Sequence, residues 1–469
     1  MSFLDWDAGA LLAALRSGEL SAETVMAATL ERVKARNAAV NAIVDLREAD
    51  VLMSEARAAD QGTIRGKLHG LPMAIKGLAH VQGTRNTEGS PLYVDRISEV
   101  DSRFVSLLRN EGAIFIGKTN VPEFGLGSHS YNPVHGVTRN PYAEGRTAGG
   151  SSGGAGAALA MGMVALADGS DAMGSLRNPA GWNNVYGFRP SFGVVPREPG
   201  DEVFWQQLST LGPMARSPRD IALMMDVMAE PNPAVPFNTP RQPWALGEAP
   251  TVSGVRVGWL GDWGGAMPME QGILDLCKGG LSVLSNLGAE VAPMAAPFDA
   301  EEMFASWRDL RAFALAGDMA GLFENPETRA RLKPEAQWEI ACGQELSVAQ
   351  LHAACATRSA WFRRAAAVFE DVEVLALPVS QCWPFPIDWD WPKEISGRAM
   401  DTYHRWMQVM VPVSLIGLPA ISVPVGFSDQ GLPMGMQLFA RKGADVALLQ
   451  VAEAYHQATG WPQSHPPIA

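Results

Sequence analysis

The 469-residue chain has only four cysteines, at 277, 342, 355 and 382. Their spacing matches no zinc or cluster framework, so they read as reduced and structural and no metal centre is expected. The zinc-protease pattern HExxH is absent, and no stretch reaches the 18 uninterrupted apolar residues of a membrane span. Basic residues are outnumbered, 37 against 50 acidic, for a net charge of −13. That balance argues against nucleic acid as a partner. The first residues, MSFLDWDAG, are acidic and lack an apolar run. No secretory signal is expected there, and the chain reads as cytoplasmic. The eight histidines include His129 and His135 in a polar stretch, but none sits convincingly as a catalytic base, and no GxSxG surrounds Ser175.

What the chain does have is glycine flanking serine. Gly149 to Gly154 reads GGSSGG, and 24 positions separate Ser151 from Ser175, which follows Asp171, Ala172, Met173 and Gly174. Glycine permits backbone shapes and close approaches that a Cβ forbids, so a serine among glycines can present its Oγ and nearby N–H groups to a carbonyl. The pair suggests a nucleophile and its relay. The small apolar residues 155–167 predict a buried helix between them. Serine needs a base, and Lys76, closing the short apolar run LPMAIK, sits where desolvation lowers an amine's pKa. In isolation GGSSGG reads as a flexible linker and Lys76 as a solvated side chain. Asp171 and Arg177 read as a structural ion pair supporting the second serine.

One pattern misleads. Residues 112–119, GAIFIGKT, satisfy the phosphate-binding P-loop formula letter for letter. A P-loop is an irregular cradle, whereas Ala-Ile-Phe-Ile is a buried strand and Pro122 interrupts any helix after it. Nucleotide binding is therefore rejected, and no cofactor is expected.

Seven ordered blocks carry a family resemblance: 68–77, 112–124, 138–142, 149–160, 174–180, 212–220, and 417–427 with 431–438. They resemble the amidase signature family, serine hydrolases with a Ser-cisSer-Lys triad. The resemblance implies Ser175 as nucleophile, Ser151 as bridging serine after a cis peptide, and Lys76 as base. It further implies an oxyanion hole from the backbone N–H groups of Ala172, Met173, Gly174 and Ser175. Gly77 stands where the family usually has Asp, Met173 and Gly174 where it commonly has two glycines, and Trp182, Asn183 and Asn184 where it has Phe-Cys-Gly. This variant is similar to a bacterial subgroup that includes nylon-oligomer and aryl-amide hydrolases.

The reading is an α/β protein of amidase signature fold, a central mixed sheet covered by helices on both faces. Helices are predicted after an N-cap at Ser21 through Lys34 and over 48–59. Strands are predicted at Met73–Ile75, Ala113–Ile116, Val164–Ala167, Val255–Leu260, Val374–Pro378 and Ala420–Val425. The scattered blocks favour one domain over 1–469, with prolines at 231, 233, 236, 240, 243 and 250 marking a surface connection. A variable region, about 300–410, is rich in tryptophan and includes CWPFPIDWDWP at 382–392. It either walls an apolar substrate pocket or packs the core, and Met173, Trp182 and Trp383 are the pocket residues expected. The expected substrate is a small or medium, largely apolar amide: an aryl amide, a linear oligoamide or a carbamate. The alternatives are a glutamine-hydrolysing A-type amidotransferase component and a catalytically silent scaffold. No membrane partner is expected, and a homodimer is left open.

Overall fold

The computed structural model describes residues 2–197, 202–205, 207–248 and 250–467. An 11-stranded mixed sheet organises the chain. Its strands run in the spatial order Ile43–Val44, Ile114–Thr119, Pro72–Lys76, Leu166–Asp171, Thr210–Ala215, Tyr186–Arg189, Ala420–Phe427, Pro433–Ala440, Val374–Pro378, Arg256–Trp259 and Glu290–Pro293. Pro72–Lys76 pairs in parallel with both Ile114–Thr119 and Leu166–Asp171. The carboxyl ends of these strands therefore open together, the place where α/β sheets form crevices.

Helices cover both faces, and two glycines make this visible. A Cβ at Gly181, in helix Arg177–Trp182, would stand 3.0 Å from the nitrogen of Gly435. A Cβ at Gly280, in helix Ile273–Asn286, would meet Val425 and the Met436 side chain on the same strand. Residues 435 and 436 are successive on one strand, so these helices lie on opposite sides of the sheet.

The predicted strands are all present, Val374–Pro378 with the predicted bounds and the others with ends shifted by a few residues. Ser21 caps helix Ala22–Val40 by accepting the Thr24 N–H, and the helix runs six residues beyond Lys34. The helix predicted over 155–167 is corrected to Gly153–Ala160, because Leu166–Asp171 leaves it to become a sheet strand. Apolar small residues fit either a buried helix or a buried strand, and periodicity does not separate the two. Residues 112–119 hold strand Ile114–Thr119, so the P-loop pattern has no cradle. Lys118 is buried there, donating to the Ala79 carbonyl and to Asn86 Oδ1.

Candidate active site

Lys76 ends its strand with its side chain 2 % exposed. Its Nζ lies 2.9 Å from Ser151 Oγ, 2.8 Å from Ser152 Oγ and 3.0 Å from Ser170 Oγ. Burial drives the amine down from 10.5 to about 7, against the opposing pull of Asp168 and Asp171 and with the help of Arg197. A neutral amine has two N–H donors and one lone pair, so three hydroxyls around it are satisfied when one of them donates to the nitrogen. The backbone N–H of Lys76 is fixed by Asp168 Oδ1 at 2.9 Å. Asp168 thus supplies an acidic neighbour that Gly77 does not. A Cβ at Gly77 would stand 3.1 Å from the Thr119 carbonyl and 3.2 Å from Val121, a tight fit.

Ser151 follows a cis Gly150–Ser151 peptide. The surrounding glycines are close-packing devices, not a linker: a Cβ at Gly154 would lie 2.3 Å from the Asn120 nitrogen and 2.6 Å from the Ala42 carbonyl. The Ser152 N–H donates to the Ser175 carbonyl at 3.2 Å, tying the two serine loops together.

The Ser175 loop is built on Asp171. Its Oδ1 accepts from the Gly174 N–H at 2.8 Å, from Arg177 Nη2 at 3.0 Å and from Arg189 Nη1 at 3.0 Å, and its Oδ2 accepts from Arg177 Nε at 2.9 Å. Burial alone would raise this carboxyl, but Arg177 and Arg189 overcome it and hold Asp171 well below the usual carboxylate range. Arg177 continues to Ser414 Oγ at 2.7 Å and Gln437 Oε1 at 2.5 Å. Asp171 and Arg177 are therefore the structural pair expected, with Arg189 as a third member from 18 residues downstream. Of the four N–H groups expected to face an oxyanion, that of Gly174 is engaged by Asp171. Those of Ala172, Met173 and Ser175 have no hydrogen-bond partner among the described residues.

Ser151, Ser170, Ala172, Met173 and Ser175 border one cavity of about 200 Å³. It is also lined by Leu78, by Phe124 to Ser128, by helix Ala300–Asp318 through Trp307, Arg311, Ala314 and Leu315, and by His404 and Met407. Trp307 Nε1 donates to the Ala172 carbonyl at 3.2 Å, joining that helix to the serine loop.

Two pocket residues expected from sequence are corrected. Trp182 is fully buried, stacked on Trp406 with ring centroids 5.7 Å apart, and does not reach the cavity. Trp383 turns away to donate from Nε1 to the Gln271 carbonyl at 3.2 Å. Of the expected three only Met173 borders the cavity, and the variable region contributes through Trp307, Arg311, His404 and Met407 in place of the 382–392 loop. Proximity to the serine in sequence pointed to Trp182, but a helix turn carries its ring into the core. Trp307 and His404 had no local signal. Ser152 and Ser170 stood beside residues already singled out. His129 is held by Thr147 Oγ1 at 2.7 Å and His135 lies 3.2 Å from Asp45, so neither serves the serines.

The amidase family model matches residues 24–449. The chain is 31 % identical to an acylamidase of Rhodococcus erythropolis over 471 residues, covering 99 % of this chain and 98 % of that protein. It is equally 31 % identical to the A-type component of the glutamyl-tRNA(Gln) amidotransferase of Moorella thermoacetica, covering 97 % and 96 %. A bacterial aryl acylamidase crystal structure superposes with a TM-score of 0.91 at 29 % identity, over 98 % of this chain and 99 % of that one. Fold, site geometry and likeness over nearly the whole length agree: the chain belongs to the amidase signature family, hydrolases of C–N bonds.

Proposed function

We propose that the protein hydrolyses the C–N bond of a small or medium, largely apolar amide through a Ser175 acyl-enzyme, with aryl amides, linear oligoamides and carbamates as the substrate range. The observation that carries this reading is the buried Lys76 amine, 2.9 Å from Ser151 Oγ, beside a cavity that Ser151 and Ser175 share.

Neutral Lys76 accepts the proton of Ser151, and Ser151 accepts that of Ser175. The Ser175 Oγ then bonds to the carbonyl carbon. The negative oxygen is held by the N–H groups of Ala172, Met173 and Ser175. Fixed donors of this kind are each worth about 2.7–4 kcal/mol in the transition state. As the tetrahedral intermediate collapses, the C–N bond breaks and Ser151 protonates the leaving amine. Water, deprotonated by the same relay, attacks the acyl-enzyme and releases the acid and Ser175. A carbamate passes through the same intermediate. The apolar part of the wall, including Leu78, Phe124, Leu126 and Met407, supports a substrate with hydrophobic arms.

Intact-mass labelling with a fluorophosphonate tests the reading. One adduct, mapped to Ser175 and lost in Ser175→Ala, is expected; no adduct between pH 6 and 10 would sink it. The likeness to the amidotransferase component keeps a second reading alive, in which the chain releases ammonia from glutamine. Hydrolysis of glutamine but of no aryl amide would select it.

A further inference from the structure

Small-molecule sites usually enclose about 300–1,000 Å³. The catalytic cavity, at about 200 Å³, falls short of that by itself. A second cavity of about 520 Å³ adjoins it, and Leu208, Ala314 and Asp318 border both. The space next to Ser175 therefore continues into a larger one that the proposed chemistry leaves unused.

Helix Ala300–Asp318 builds the junction with two adjacent stripes of side chains. Trp307, Arg311, Ala314 and Asp318 follow at steps of four, three and four along one face and border the catalytic cavity. Leu310, Phe313, Ala314 and Gly317 follow at steps of three, one and three along the neighbouring face and border the second. Ala314 stands on the seam between the stripes and sets no more than a methyl group there. Asp318, one turn on, carries the seam to an exposed position.

The second cavity is also bordered by Trp205 and Phe313, whose rings meet edge to face with centroids 6.1 Å apart. They are 51 % and 37 % exposed, so both rings are accessible. Glu202 Oε1 accepts the Trp205 N–H at 2.9 Å and anchors the backbone that carries the indole. Glu202, Asp318 and Arg358 supply the polar border that accompanies a functional apolar patch. Two large rings left side by side in water gain by covering an apolar group, and continuity with the catalytic cavity names what arrives there: the far end of an amide already seated at Ser175. We propose that the second cavity is a distal subsite for an aromatic group on a substrate arm that passes Ala314, making this enzyme selective for elongated amides over compact ones. The proposal rests on the amidase reading and narrows its substrate range.

Equilibrium binding to Ser175→Ala, which needs no turnover, tests it with one length series for each arm. The ligands are ω-phenylalkananilides and N-(ω-phenylalkyl)acetamides, each with one to about eight methylenes before the terminal ring. In at least one series affinity is expected to rise about 10-fold or more from the shortest member to the best. Adding Trp205→Ala and Phe313→Ala together should cut that rise below about threefold, and so should Ala314→Phe, which fills the seam. Trp205 and Phe313 are exposed, so the double substitution keeps the test valid if Ala314→Phe fails to fold. No rise in either series, no binding of any ligand, or a rise that survives the double substitution or a folded Ala314→Phe would overturn the proposal. Fluorophosphonate labelling of the wild type reads the triad separately: an adduct without a length preference sinks only this subsite, and a preference without an adduct sinks only the triad.

Discussion

Lys76 Nζ lies 2.9 Å from Ser151 Oγ in a site whose burial brings the amine down to about 7. The neutral form is the base, so acylation should be suppressed below pH 7 and rise through about pH 7 to a plateau. Stopped-flow acylation by an activated anilide across pH 5.5–9 measures this. Lys76→Ala should lower the rate at least about 10³-fold and remove the inflection, since acid–base assistance is worth about 10²–10⁴-fold and the relay fails as a unit. A wild-type-like rate with a flat profile in Lys76→Ala would refute the assignment.

The same shift has a sign for stability. Lys76 is protonated in the unfolded chain up to about 10.5 and in the folded one only to about 7. Between these values the unfolded state binds the extra proton, so this residue's penalty on folding shrinks as pH rises from 7 towards 10.5. Urea midpoints measured at pH 7 and 9 should fall less, or rise more, for the wild type than for Lys76→Met. Parallel pH trends in the two proteins would contradict the shift.

Asp171 is the only acid paired with Arg177 and Arg189 among the described residues, and all three side chains are fully buried. Asp171→Asn leaves two buried guanidinium groups uncompensated and should cost about 3–5 kcal/mol. Denaturant melts measure the loss. A change below about 1 kcal/mol would show that the cluster is not what holds the serine loop.

Gly174 has φ of +88°, and a Cβ there would come within 2.5 Å of the Met410 side chain. Gly174→Ala should cost about 1–3 kcal/mol from backbone strain and overpacking. Because its N–H anchors the loop to Asp171, turnover should fall more than Tm does. Adding Met410→Ala should return part of the stability without returning the rate.

Trp182 and Trp307 separate packing from recognition. Trp182→Ala empties a fully buried site stacked on Trp406 and should cost about 3–5 kcal/mol. Trp182→Phe, which keeps most of the volume, should leave KM near wild type. Trp307→Phe removes the donor to Ala172 and reshapes the cavity wall, so KM ratios between small and bulky anilides should change. Identical ratios for both Phe variants and the wild type would contradict this division.

What the linear chain determined by itself was local: the strand carrying Lys76, the cap at Ser21, the glycine-flanked serines and the acid–arginine pair at 171 and 177. Each depends on residues within a few positions of one another or on an ordered block. The helix after Ser152 was legible in kind but not in extent, because small apolar residues satisfy a buried helix and a buried strand alike. Tertiary structure alone decided the rest. It surrounded Lys76 with Ser151, Ser152 and Ser170, and brought Arg189 to Asp171. It sent Trp182 into the core and chose Trp307 and His404 for the cavity. Those choices are set by strand order and helix docking, where contacts form between segments up to hundreds of residues apart and no local periodicity records which face meets which.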